Sequence, residues 1–256
     1  MLIQIYIISL LFITGIFFGL LCVINGLKDP LRKKGTVIHT NCCSNCNNPW
    51  KWYELIPFIS FFINRGECPY CHSNIPLSYS ALELISGLLF SFSYMIYGFS
   101  YEMCIMIILT MLSIIIFVSD FKYYVILDKP LIISSILILS LKNIFFSFET
   151  LIISFISGFI LFLFMMLIRF IGNKLFKEET IGGGDIKLAM VFGFTLGVKL
   201  SIISLTIGSF LAFPYAIYLS LSKKEHAIAF GPFLITGLYL TFIFMPYINE
   251  FISTIF

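Results

Sequence analysis

Two aspartates carry the residue pattern most suggestive of chemistry. Asp120 closes the apolar run ending Val118-Ser119-Asp120-Phe121-Lys122, and Asp185 follows three glycines in Gly182-Gly183-Gly184-Asp185-Ile186-Lys187. Ionisable residues at membrane depth are expensive, so they usually serve a purpose. Two carboxylates brought together cannot both ionise cheaply, and one then keeps a proton. Such a pair supplies an acid and a base at once: the ionised group activates water while the protonated one polarises a peptide carbonyl. The glycines before Asp185 permit close backbone approach beside it, as pairing with a substrate strand would require. Read blandly, Asp185 is a helix N-terminal cap, Asp120 an interfacial aspartate and Asp128 a polar turn residue before Pro130. Lys122 and Lys187 read most economically as headgroup anchors. Glu83 lies about two turns inside an apolar run and requires a partner or water.

A second pattern is metal chemistry. Cys43-Ser44-Asn45-Cys46 and Cys68-Pro69-Tyr70-Cys71 are two C-x2-C pairs in one polar loop. Two such turns complete a tetrahedral four-thiolate site, so Cys43, Cys46, Cys68 and Cys71 are expected to hold a structural zinc. Cys42 leaves the register open, because it can replace Cys43. A disulfide pair is the competing reading, disfavoured if the loop faces a reducing compartment. His72 reads as a bystander, and Cys22 and Cys104 as buried small residues.

These residues are positioned by apolar blocks. The chain is 59% hydrophobic and 11% charged, against about 25% charged in an ordinary soluble domain. Lipid must therefore be the solvent for much of it, and the fold expected is an all-α polytopic membrane protein. The blocks run Ile3–Leu27, Ser78–Tyr97, Tyr101–Ser119, Leu131–Phe146, Leu151–Arg169, Ile186–Val198, Ser201–Leu221 and Phe230–Ile248, so about eight transmembrane helices are expected. Leu131–Phe146 is interrupted by Lys142 and Ile186–Val198 is short; Pro214 predicts a kink. With eight spans, fourteen of the sixteen basic residues fall on one side, and only Lys142 and Lys199 on the other. That bias makes the basic side cytosolic, with the large first loop, Asp120 and Asp185 there and both termini outside. The domains expected are residues 1–27 as the first span, 28–77 as the zinc loop and 78–256 as a seven-helix membrane domain. The formal net charge of +3 gives no reason to expect nucleic acid.

In this order the motifs resemble the type IV prepilin leader peptidases, intramembrane aspartyl peptidases with a Gly-x-Gly-Asp motif. Gly182 through Lys187 match that motif. Asp120-Phe121-Lys122 with Ile126-Leu127-Asp128 resembles the family's first catalytic aspartate and its neighbour. Glu54-Leu55-Ile56-Pro57, Arg65 through Cys71 and Ser78-Tyr79 through Glu83 follow the zinc-loop pattern, and Phe230-Gly231-Pro232-Phe233-Leu234 a segment near the last span. The resemblance covers almost the whole chain.

It implies a prokaryotic plasma-membrane enzyme that removes the basic leader of type IV prepilins or pseudopilins at the cytosolic face. Asp120 and Asp185 would be catalytic, and Gly182, Gly184, Lys187, Asp128 and Glu83 supporting. The partners implied are those precursors and membrane lipid. Many members then methylate the new N-terminus with S-adenosylmethionine. Here the cysteine loop favours that activity, while Gly19-Leu20-Leu21-Cys22-Val23-Ile24-Asn25 departs from the family's Gly-Ser-Phe-x-Asn-Val. The competing classes are an ion-coupled transporter using Asp120, Asp185 and Glu83, and a non-catalytic scaffold with a zinc-bound loop.

Overall fold

The computed structural model describes residues 2–27, 70–71, 77–221 and 228–255. Every regular element among them is a helix: α1 (Leu2–Gly26), α2 (Leu77–Tyr97), α3 (Tyr101–Tyr123), α4 (Asp128–Phe145), α5 (Phe148–Phe176), α6 (Gly183–Leu221), α7 (Gly231–Ile243) and α8 (Met245–Ile255). In lipid each backbone polar group must be satisfied within its own segment, which favours helices for such apolar runs. The chain divides into two compact units, Met1–Val118 and Ser119–Phe256.

The first unit is built on close approach of α1 and α2. A Cβ on Gly15 would lie 2.8 Å from the Cα of Gly87, and one on Gly19 would lie 2.8 Å from the Cβ of Ser86. The Ser86 hydroxyl donates to the Gly15 carbonyl at 2.7 Å. Small residues and a hydroxyl bond across helices are what lipid-embedded packing relies on, because apolar burial there has little driving force. Cys22 and Val23 of α1 pack with Ile114 and Val118 of α3. Cys22 is thus a buried apolar contact, as expected.

The second unit turns on α6, whose 39 residues would measure about 58 Å if straight, far beyond the ~30 Å hydrocarbon core. It breaks at Gly197, with φ 75° and ψ 176°, a backbone region essentially closed to side-chain-bearing residues. Beyond the break α6 comes back: the ring of Tyr215 lies 6.3 Å from that of Phe121, next to Asp120, although a straight helix would hold residues 185 and 215 about 45 Å apart. The first segment packs on α5 where a Cβ on Gly193 would come within 2.5 Å of the Gly158 Cα. The returning segment packs on α7 through Gly208 and Gly237. The two blocks expected at Ile186–Val198 and Ser201–Leu221 are therefore one element divided at Gly197. Pro214 lies inside the returning segment, whose backbone keeps helical torsions there; Gly197 is where α6 departs from them.

Among the described residues five helices, α1, α2, α3, α5 and α6, are long and apolar enough to cross a membrane, and six if α7 and α8 form one bent crossing. This is a multi-pass membrane protein. The expected count of eight is not reached by that measure, which takes α6 once and passes over the 18-residue α4 with Asp128, Lys129 and Lys142. The single last span expected over Phe230–Ile248 is divided, because α7 and α8 meet at a 72° bend.

Candidate active site

Asp120 occupies the last turn of α3 and Asp185 the first turn of α6. Both line one cleft of about 1080 Å³, walled entirely by residues of the second unit. Asp120 is 5% exposed and Asp185 9%, and the charge of one acts on the other. The structure thus brings together residues 65 positions apart.

Each carboxylate is held by a backbone N–H at the start of a helix. Gly231, the first residue of α7, donates to Asp120 Oδ2 at 2.9 Å. Gly182, just before α6, donates to the Asp185 carboxylate. For Asp185 this is the reciprocal half of a capping box, a first-turn acid reaching back to the residue at the helix start. Asp185 is thus not the N-cap expected but the third helical residue, closing the helix start from inside, and the same bond fixes the carboxylate at the cleft. No lysine or arginine pairs with either aspartate among the described residues.

Two loops reach the cleft because the helices before them end in left-handed residues. Tyr124, with φ 54°, follows α3, and its N–H bonds to the Asp120 carbonyl at 2.9 Å. Lys177, with φ 58°, ends α5. After these reversals Tyr124–Ile126 and Glu179–Gly184 form the rim. A Cβ on Gly184 would meet the Ile126 Cβ at 2.8 Å, and one on Gly182 would lie 3.0 Å from Asp185 Oδ2. At Gly183 the nearest atom would be an Arg169 nitrogen at 3.6 Å. The glycines singled out at 182 and 184 are the tightly hemmed ones.

Lys187 bonds Asp128 at 2.6 Å, with the two side chains 50% and 58% exposed. Asp128 is therefore more than a turn residue, and Lys187 more than an anchor: together they tie the start of α4 to the first turn of α6. Glu83 belongs to the first unit, where it is buried on α2 beside Gly19 of α1. Cys43, Cys46 and Cys68 lie outside the described residues, as do Cys42 and His72, while Cys71 sits in a turn after Tyr70. Among the described residues no group of three or more His, Cys, Asp and Glu could hold a metal. Gly231 and Ile126 entered the sequence reading only as parts of segments that carry the resemblance, without a role, and Tyr124, Val125 and Glu179 were not singled out; the Gly231-Pro232 start of α7 was the available signal for the first.

Two family models match the chain: the Bacterial Peptidase A24 N-terminal domain over residues 13–97, and the Type IV leader peptidase family over residues 106–217, which contain both aspartates. A prepilin leader peptidase/N-methyltransferase of Legionella pneumophila is 30% identical, over 82% of this chain and 75% of its own length. The chain belongs to the type IV leader peptidase family. Further relatives of this peptidase family bear the same name. The Bacillus subtilis protein is 27% identical over 95% of this chain and 96% of its own. The Neisseria gonorrhoeae protein is 28% identical over 84% and 74%. No solved structure matches the chain.

Proposed function

We propose that this protein is an aspartyl endopeptidase that cuts the basic leader from type IV prepilins or pilin-like proteins at the cytosolic membrane face. The observation that carries the reading is the pair of buried carboxylates, each anchored by a glycine N–H, unpaired with any lysine or arginine among the described residues, and both facing one cleft. The pair shares one proton, because two ionised carboxylates repel strongly where water is scarce. The ionised member takes a proton from water as its oxygen attacks the scissile carbonyl carbon. The protonated member donates to the carbonyl oxygen. The tetrahedral intermediate then expels the amine, which collects a proton as the C–N bond breaks, leaving one new carboxylate and one new amine. Which aspartate starts protonated is a property of the pair.

The rest of the cleft suits such a substrate. The returning segment of α6 lines it with Ile202, Leu205, Ser209, Ala212, Phe213 and Ala216, one helical face of apolar and small residues. This face receives the apolar segment that follows the cleaved bond. The short extended stretch around Leu127, with φ −73° and ψ 129°, is suited to strand-like pairing.

Eight crossings are part of this reading. The fold-back at Gly197 supports two crossings within α6, and the basic-residue bias supports a cytosolic active site and first loop. Residues 1–27 then form the first span, 28–77 the zinc loop and 78–256 the peptidase domain. Four thiolates are the donor chemistry of a closed structural zinc site. Bound through Cys43, Cys46, Cys68 and Cys71, a zinc would order the loop and take no part in cleavage. Transfer of a methyl group from S-adenosylmethionine to the new amine is the second activity to assay, and residues 28–77 are the region to truncate for it. Family membership weighs against the transporter and scaffold readings.

The deciding experiment is cleavage of a pilin-like precursor in detergent by the parent, Asp120→Asn and Asp185→Asn. Loss of processing in both folded variants upholds the dyad. Near-parental cleavage by either one rules out a two-aspartate mechanism.

A further inference from the structure

The cleft and its surroundings carry opposite charge. Among the described residues three carboxylates line the cleft, those of Asp120, Asp185 and Glu179, and no lysine or arginine does. The helix ends and loops of the same unit carry Lys122, Lys129, Lys174, Lys177 and Lys187 against Asp128 and Glu178, with Lys187 engaged by Asp128, so the described surroundings stay net basic. A basic leader approaching this face meets like charge and needs a carboxylate to enter. The catalytic pair is unsuited to that task, since a cation bound there would hold both members ionised and remove the shared proton.

Glu179 has the position and freedom required. It stands on the rim six residues before Asp185, with its side chain 84% exposed. Its loop is held in place: the Thr180 N–H and hydroxyl both donate to Asn173 Oδ1, at 2.9 and 3.0 Å, and the Lys177 N–H donates to the Asn173 carbonyl. The Glu179 carboxylate accepts a bond from Arg169 at 3.3 Å. The same guanidinium lies 3.6 Å from where a Cβ on Gly183 would stand. A basic group of the protein thus already occupies the spot beside the Gly182–Asp185 turn. An ion pair this exposed is weak, and a second cation can displace it at little cost.

We infer that Glu179 is the specificity residue that reads the positive charge of the leader, and that Arg169 holds its place until substrate arrives. The inference rests on the peptidase reading and adds to it a named contact on the leader side of the scissile bond. Exchange of one cation for another keeps Glu179 paired throughout, while the released Arg169 turns to water.

The test is steady-state cleavage in detergent of two precursors, one with its basic leader and one with those basic residues replaced by glutamate. Glu179→Gln is expected to raise KM for the basic precursor roughly two- to fivefold with kcat unchanged, an effect that shrinks in high salt. Glu179→Lys is expected to reverse the preference between the two precursors, and Arg169→Gln to lower KM for the basic one. The inference is overturned if Glu179→Lys impairs both precursors by the same factor, or if the variants alter kcat alone, as a merely structural loop residue would. A parent enzyme that cuts neither precursor instead removes the peptidase reading itself.

Discussion

At the Gly197 end of the second unit, the half-buried Lys142 of α4 sends its ammonium to the Ser154 hydroxyl of α5 at 2.7 Å and to the Thr195 carbonyl of α6 at 3.2 Å. At the other end, Asp120 and Asp185 each take one backbone N–H and meet no cation among the described residues. Both ends place ionisable groups in an apolar bundle, but only the first satisfies its charge from neighbouring helices. Thr195 stands two residues before the break at Gly197, where the last carbonyls of a helical segment lose their partners. Lys142 takes up one of them and joins three helices, so its role is structural. The aspartates are oriented without being neutralised, and they face a cleft instead of a packed interface. A buried carboxylate without a counter-ion is costly, and two of them lining one cleft mark a candidate functional site.

The sharpest way to break this comparison is to neutralise each charge in turn. Asp120→Asn or Asp185→Asn is expected to cut cleavage at least about a thousandfold while leaving thermal unfolding near the parent, because the anchoring N–H retains an amide oxygen to bond. Lys142→Met is expected to do the reverse. It leaves the Thr195 carbonyl short of a donor, for a loss of about 1–3 kcal/mol, with kcat little changed below the lowered unfolding temperature. A Lys142→Met enzyme that is stable but inactive would erase the distinction between the two ends.

The glycines before Asp185 sharpen the comparison at smaller scale. Gly184→Ala drives a methyl into Ile126 and is expected to cost about 1–3 kcal/mol, together with a clear drop in kcat as the 124–126 loop shifts. Gly183→Ala has room and is expected to stay near parental in the same assay. Equal loss in both would mean that the turn needs glycine conformations and not close contact. The smallest effect is expected from the Lys187–Asp128 pair. Its two side chains are half exposed, so Asp128→Asn should cost no more than about 1 kcal/mol by thermal unfolding, and less as salt is raised.

Much of this was legible in the residues themselves. Block hydropathy gave the polytopic class, because a chain this apolar has no soluble solution. Asp120 and Asp185 stood out because charge at block ends is conspicuous against so little other charge. Gly182 and Gly184 stood out through the resemblance to the Gly-x-Gly-Asp motif. What the pattern left open lies where hydropathy is silent. The two blocks read within the 39-residue α6 meet at Gly197, where a single φ divides the element, and hydropathy does not encode backbone angles. The division of the last block at Phe244 escaped notice for the same reason.

The sequence by itself determined that the chain lives in a membrane, that its carboxylates are few, and that two of them sit at the ends of apolar helices. These are properties of composition and of position along the chain. Only the tertiary structure decided that the two carboxylates share one cleft, that Gly231 holds Asp120, and that Lys142 closes the opposite end. Each of those contacts joins residues from different helices or turns on the path of the backbone between them. A one-dimensional pattern records which groups are available; the fold-back of α6 at Gly197 decides which of them meet.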